Sequence, residues 1–361
     1  MKTVRVLVDS FADEGLSNAQ MGNAREIVCC LDPDRFHVSI FGVGRADPRI
    51  LARRNTEIIP LPERRQTPRI FRAFMLRNYD VLFYLKASPA SRWYVSLRSK
   101  WKSTGVTVGT IESQADLRVE PTLSSKSIDL WEQTVLRCEH LYSNSVSVQK
   151  SLQREYGLQS EIIPTGVNTR FFYPHLERTK SARPAVLFVG ALRTYKQPGV
   201  VLDAAARFPE ADFRLVGDGP LRVELERSIT QRGLRNVLLL GSLSQERLRT
   251  EYQSADVFLF PSRWEGSPKV ILEAAACGLP VVARNDYCPE TVQHGITGYL
   301  GSSNEQLLTH LGGLLANAPL RAEFGRSGRK LAEKYDWALI AGQWEREFAN
   351  MVEEKARRKA S

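Results

Sequence analysis

The chain has 361 residues, 43% hydrophobic and 25% charged, with 50 Lys/Arg against 40 Asp/Glu for a formal charge of +10. That composition argues against intrinsic disorder, and the length suits two domains with full cores. The N-terminal VRVLV is too short for a secretory apolar region, no run approaches the ~20 residues of a membrane span, and the five cysteines form no C-x-x-C, so a cytoplasmic protein with reduced thiols, no metal site and no cofactor is expected.

Short β-rich runs alternate with helical patterns throughout, which predicts an α/β fold of parallel sheets with helices on both faces. VRVLV, FHVSIFG, TEIIP, DVLFYL and GVTVGT read as strands of a first domain. AVLFVG, DFRLVG, NVLLLG, DVFLFP and LPVVA read as strands of a second. Between them FFYPHLERTKSARP, residues 171–184, is polar and proline-containing and reads as a linker. The expected division is 1–172, 173–345 and a helix end with basic tail at 346–361. DWALIAGQWEREFANMV is expected to pack across the domains and KARRKAS to fray.

The positive excess is local: residues 45–102 hold 14 Lys/Arg against 4 Asp/Glu, and the remainder balances. Within that segment SRWYVSLRSKWK interleaves Arg92, Arg98, Lys100 and Lys102 with Trp93, Tyr94 and Trp101. Four readings stand at this point: a solvated basic face with aromatics turned inward, an anionic membrane surface, an anionic acceptor, or nucleic acid. No recognition-helix, RRM or zinc motif supports the last.

In parallel sheets ligands bind outside the carboxyl ends of strands, near helix N-termini. Four loops of the second domain meet that condition: ALRTYKQPG with Arg193 and Lys196, DGPLR, SLSQER, and SRWEGSPK with Glu265. Two carry cations and two are rich in free backbone N–H groups, a combination suited to one anionic ligand. In PSRWEGSPKVILEAAACGLPVVA, Ser267 reads as an N-cap and Pro268 as the first residue of a helix ending near Cys277, before Gly278 and Pro280. That helix has almost no polar face, so Glu273 must find a donor, in a structural salt bridge or in a ligand.

Together these motifs, from about His140 to Trp344, resemble the retaining glycosyltransferases of family 4, which have the GT-B architecture of two Rossmann-like, doubly wound domains facing across a cleft. The resemblance is carried by NSVSVQKSLQREYGLQSEIIPTGVNTRFFYP, FVGALRTYKQPGVVLDAAA, LVGDGPL, LLGSLSQERLRTEYQSADVFLFPS, HGITGYL and the E-x7-E pair Glu265 and Glu273. It implies transfer of a sugar from a UDP- or GDP-type donor to a glycan, lipid-linked or small-molecule acceptor, without a metal. By the same resemblance Glu273 binds the ribose diol, Glu265 stands by the donor hexose, and Lys196, with Arg193, neutralises the pyrophosphate. The backbone of Gly266, Ser267, Pro268, Lys269 and Val270 cradles hexose and phosphate, and groups around Leu243 meet the base. The donor binds the second domain and the acceptor the first, where a glycine-rich loop is reduced to SFADEGLSNAQMGN, with Gly15, and Glu112 occupies the place of a histidine that touches the donor sugar. Ala191 stands where the family often has arginine. These departures keep open an alternative, a non-catalytic binder of nucleotide sugar or a partner subunit. The basic segment adds an expected peripheral contact with anionic membrane.

Overall fold

The computed structural model describes residues 3–14, 19–98, 105–113, 124–175 and 183–360. Two compact units emerge: Met1–Pro164 with Trp337–Ser361, and Thr165–Asp336.

The first unit is built on seven parallel strands: β1 (Val4–Phe11), β2 (Phe36–Gly42), β3 (Thr56–Pro60), β4 (Val81–Phe83), β5 (Val106–Ile111), β6 (His140–Ser143) and β7 (Glu161–Ile162). They lie in the order β3-β2-β1-β4-β5-β6-β7. Val6 is in register with Val38 on one side and Val81 on the other. Alternation along β1 sends Val6 and Val8 to a core with Ala24, Ile27 and Val28 of helix Ala19–Cys30, and Leu7 to another with Phe41, Phe74 and Tyr94.

Trp337, Ile340, Trp344, Phe348 and Met351 join the first of these cores. The rings of Phe83 and Trp344 are 4.7 Å apart and those of Phe36 and Phe348 are 6.2 Å apart. The expected boundary at 345/346 is therefore corrected to 336/337: the apolar stripe of helix Trp337–Ala360 belongs to the first unit, and KARRKA continues that helix instead of fraying. The expected boundary at 172/173 likewise moves back to 164/165. Phe172 is buried in the second core with its ring 5.8 Å from that of Tyr252, so the start of the expected linker is packed chain.

The second unit has six parallel strands: β8 (Ala185–Val189), β9 (Asp212–Val216), β10 (Val237–Gly241), β11 (Val257–Phe260), β12 (Val281–Arg284) and β13 (Gly298–Gly301), in the order β10-β9-β8-β11-β12-β13. The loops after the first three strands are hydrogen-bonded to one another. Gly190 N–H donates to Val216 O at 3.0 Å, Gly217 N–H to Gly241 O at 2.8 Å and Leu221 N–H to Leu192 O at 3.0 Å. At Gly217, φ is +130° and a Cβ would collide with the carbonyl of Gly190, so no other residue allows these loops to approach. The N–H groups expected to be free in DGPLR are thus partly spent on loop-to-loop bonds. Helices Pro198–Arg207 and Lys269–Ala276 both bury apolar residues in this core.

Candidate functional site

Strand order in the second sheet runs outward in both directions from the adjacent pair β8 and β11, the switch point where an open α/β sheet leaves a crevice at its carboxyl edge. Lys196 closes the short turn Thr194–Lys196 after β8, and Glu265 lies in the loop after β11. They meet across the switch point as an ion pair between Lys196 Nζ and Glu265 Oε1, with side chains 13% and 12% exposed. Ser262, wholly buried, donates its hydroxyl to the same carboxylate oxygen at 2.5 Å. Lys196 Nζ also lies 5.1 Å from the centre of the Phe260 ring. The ammonium is thus mostly withdrawn from water and compensated by one carboxylate.

The helix carrying the second glutamate spans Lys269–Ala276, with Pro268 at the cap position and no side chain capping it. This corrects the reading of Ser267 as N-cap and Pro268 as first helical residue. The helix start therefore lacks a side-chain acceptor and lies beside buried Gly266 and Pro268 and half-buried Ser267, Lys269 and Val270. Such an end attracts anions.

Glu273 is half-buried, and its partner is a phenol: Tyr252, on helix Gln245–Ser254, donates to Oε2 at 3.0 Å. Burial raises the Glu273 pKa, while Lys269 and the Tyr252 hydroxyl pull it down. No salt bridge reaches it among the described residues; its donor within the protein is the Tyr252 phenol. A phenol satisfies one carboxylate oxygen and leaves acceptor capacity on the other.

Arg193 is half-buried beside Lys196 and has no ion-pair partner among the described residues; Ala191 is exposed. Leu243 packs partly into the core at the end of the loop after β10. Glu112 follows β5 in the first unit, where Asn23 donates to Oε2 at 3.0 Å and Tyr84 donates to Oε1. Gly15 lies outside the described residues. Sequence reading missed Ser262, Tyr252 and Tyr287. The last is a buried phenol beyond β12 whose hydroxyl lacks a partner among the described residues, its pKa raised by burial and then by Glu265 and Asp286. All three read as ordinary core or loop residues until the fold brings the glutamates to them.

Residues 174–331 match the family model described as glycosyl transferases group 1. Over 188 residues the chain is 34% identical to the sulfoquinovosyl transferase SQD2 of Arabidopsis thaliana, covering 50% of this chain and 36% of that protein. Over 216 residues it is 32% identical to a GDP-mannose-dependent α-(1-6)-phosphatidylinositol monomannoside mannosyltransferase of Mycolicibacterium smegmatis, covering 54% and 55%. The chain thus spans about a third to just over half the length of these curated relatives. Among solved structures, sucrose-phosphate synthase from Thermosynechococcus elongatus superposes with a TM-score of 0.81 at 20% identity over 98% of this chain and 100% of that one. Anabaena HepE in complex with UDP gives 0.75 at 16% identity over 97% and 100%. The switch-point residues accordingly lie within a stretch similar to glycosyl transferases group 1, on a chain whose fold is GT-B.

Proposed function

We propose that this protein is a retaining glycosyltransferase of the family 4 type, moving a hexose from a UDP- or GDP-type donor to a glycan, lipid-linked or small-molecule acceptor. The observation that carries this reading is the Lys196–Glu265 pair across the second switch point, beside an uncapped helix start and the Glu273 carboxylate. The donor diphosphate takes the helix amides and Lys196, and the ribose diol donates to Glu273. As the glycosidic bond to the diphosphate breaks, charge grows on the leaving oxygen and Lys196 follows it, which stabilises the transition state more than the ground state. Glu265, relieved of its ammonium and still held by Ser262, faces the positive charge developing on the hexose. The acceptor hydroxyl bonds to the anomeric carbon on the face the diphosphate leaves and gives its proton to the departing phosphate oxygen, which retains the anomeric configuration. Arg193 supplements Lys196 in the place of the family's arginine.

Incubating the full chain with UDP-glucose, UDP-galactose, UDP-N-acetylglucosamine and GDP-mannose, with thermal shift as first readout and diphosphate release as second, tests the reading. A bound ligand at ~100 Kd adds about 2.7 kcal/mol of stability. Stabilisation by a sugar nucleotide with release suppressed in Lys196→Ala supports it, whereas no stabilisation by any of the four sinks it. Stabilisation without turnover on any acceptor favours the alternative that exposed Ala191 motivates, a protein that binds sugar nucleotides without using them.

Among the described residues no helix is long and apolar enough to cross a membrane. For peripheral attachment the relevant surface is the outer face of helices Thr67–Leu76 and Pro89–Leu97, which meet through the rings of Phe71 and Trp93, 5.7 Å apart. Arg64, Arg65, Arg69, Arg72 and Arg92 are exposed there with Leu76, and Trp93 is 42% exposed. Arg98, grouped with them by sequence, is instead structural: it pairs with Glu139 at 2.7 Å and donates to Thr107 at 2.7 Å. Lys100, Trp101 and Lys102 lie outside the described residues. At ~1 kcal/mol per basic residue near an anionic surface, this face supplies reversible, salt-sensitive attachment. Co-sedimentation with phosphatidylserine vesicles at low salt, lost in Arg69→Glu/Arg72→Glu/Arg92→Glu, is the expected result; equal binding to neutral vesicles refutes it.

A further inference from the structure

The loop after β12 reaches the carboxyl edge of the second sheet one strand further out than the loop carrying Glu265, since β12 pairs with β11 in register, Phe260 opposite Ala283. Arg284, 5% exposed at the end of β12, holds Asp286 through two nitrogens at 2.6 and 3.2 Å and donates to Asn304 Oδ1 and Ser302 O at 2.9 and 3.0 Å. Asp286 in turn lies 3.8 Å from Arg263, two residues before Glu265. On the other side the Cys288 N–H donates to Asn285 O at 3.1 Å, and Cys288 holds a φ of +45°, which a residue other than glycine keeps only where its surroundings impose it. These contacts fix Tyr287 between them. The residue is 1% exposed and packed in the second core, and its hydroxyl has no hydrogen-bond partner among the described residues. Buried polar atoms without partners are unfavourable and rare in native proteins, so this one calls for a partner supplied in another state of the site.

Glu265 is that partner. Burial raises the Tyr287 pKa first and Glu265 next, ahead of Asp286, its own neighbour in the chain, so the hydroxyl keeps its proton well above the ordinary phenol range and stands ready to donate. In the free protein both bonds to the Glu265 carboxylate, from Lys196 and from Ser262, fall on Oε1, and no hydrogen bond reaches Oε2 among the described residues. We propose that Tyr287 is a positioning residue for Glu265: when a diphosphate draws the Lys196 ammonium away, the phenol donates to the carboxylate in its place and keeps it charged and aimed at the hexose. This rests on the donor-site reading and deepens it. No proton is transferred; the phenol keeps its own, and only the carboxylate's partners change. Without such an exchange Glu265, whose side chain is 12% exposed, would be left with the Ser262 hydroxyl alone, and a buried charge stripped of its counter-ion is strongly unfavourable. A charge-assisted bond from a neutral donor replaces part of what the ammonium gave and frees the lysine to follow the phosphate. The same hydroxyl is therefore unfavourable in the free protein and favourable in the loaded one, which a purely structural tyrosine is not.

Tyr287→Phe removes that one oxygen and leaves the packed ring, so the two states can be read separately on the full chain. In the free protein, thermal unfolding should give a Tm unchanged or raised, because an unpartnered buried hydroxyl has gone. In calorimetric titrations with UDP and GDP, the variant should bind whichever of them the wild type binds about tenfold more weakly, the loss of one charge-assisted hydrogen bond. In a Glu265→Gln background the same substitution should alter that affinity less than about twofold, since a neutral amide needs no replacement for the ammonium. The acid limb of kcat, followed by diphosphate release from whichever of the four sugar nucleotides is turned over, should move to higher pH in Tyr287→Phe. That of kcat/KM, which reports the free protein with its Lys196 pair intact, should stay where it is. A lowered Tm with unaltered diphosphate affinity would make Tyr287 a structural residue, and an equal loss of affinity in both backgrounds would give its hydroxyl a partner other than Glu265; either result overturns the proposal. Failure of the wild type to bind UDP or GDP sinks the donor-site reading as well, whereas binding that Tyr287→Phe leaves intact sinks this proposal alone.

Discussion

Both sheets reverse strand order beside their first strand, and both set a lysine and a carboxylate across that reversal, with the positions exchanged. In the second unit the lysine follows the first strand and the glutamate follows β11; in the first unit the aspartate ends β1 and the lysine follows β4. The contacts then diverge. Lys196 touches its carboxylate, so the pair is neutral and the nearby uncapped helix start tips the site toward anions. Lys86 makes no hydrogen bond through its ammonium among the described residues and has the carboxylates of Asp9 and Glu112 for company, so that edge carries more negative than positive charge. The scaffold decides where a ligand can sit, and a few side chains at strand ends decide its charge.

The largest effect should separate the two units. Trp344→Ala removes a ring that packs on Phe83 and Phe348 in the first core, and should cost about 3 to 5 kcal/mol of that unit's stability. Differential scanning calorimetry should show one transition lowered, with nucleotide stabilisation of the second unit retained; a loss under about 1 kcal/mol would mean that the C-terminal helix is peripheral. Next in size is an exchange test of the two lysines. Lys196→Ala should lower kcat by about 10²-fold or more, while Lys86→Met leaves nucleotide affinity unchanged. If Lys86→Met weakens UDP or GDP binding as much as Lys196→Ala does, the two edges are not chemically distinct and the comparison fails.

Much of this was legible in advance because strands and strand ends leave strong local signals. DVFLFP and AVLFVG announce buried parallel strands through β-branched and aromatic runs, and the loops after them are where chemistry is expected, so Lys196, Glu265 and Glu273 are singled out by the sequence. His140–Ser143 and Gly298–Gly301 are too short for alternation to show and were missed as strands. Ser267 was misread as a cap because local grammar does not say where a tertiary contact begins the helix. The domain boundary at Trp337 was hidden for a related reason: an amphipathic stripe shows that a helix packs, not on what. Lys86 and Asp9 needed only the strand-end rule applied to the first sheet as it was to the second. The partner of Glu273 was not legible at all, since Tyr252 is 21 residues away and reads as core.

Glu273 provides a smaller test of the second edge. Glu273→Gln keeps the Tyr252 contact and the volume but loses the charge, and should weaken nucleotide binding by about 1 to 3 kcal/mol with the fold intact. Unchanged affinity in calorimetry would remove the diol from the site.

The subtlest effect is on pH, and its sign differs between the free and bound protein. Burial is the chief influence on Glu273 and raises its pKa above the ordinary carboxyl value of 4.5. In the free protein the folded state therefore holds a proton more tightly than the unfolded chain. Relative to Glu273→Gln, stability should then be highest below the ordinary carboxyl range and fall as pH rises through the raised folded value. A ribose diol reverses the preference, because its hydroxyls donate to the ionised form. Nucleotide affinity should be full above the raised value and fall as pH drops through it, beginning at a higher pH than an ordinary carboxylate would allow. Binding in that window should release protons, visible as a dependence of calorimetric enthalpy on the ionisation heat of the buffer. Glu273→Gln should abolish the part of the release that the diphosphate's own titration does not explain. Equal release by wild type and variant would show that the carboxylate stays charged throughout, or that the diol binds elsewhere.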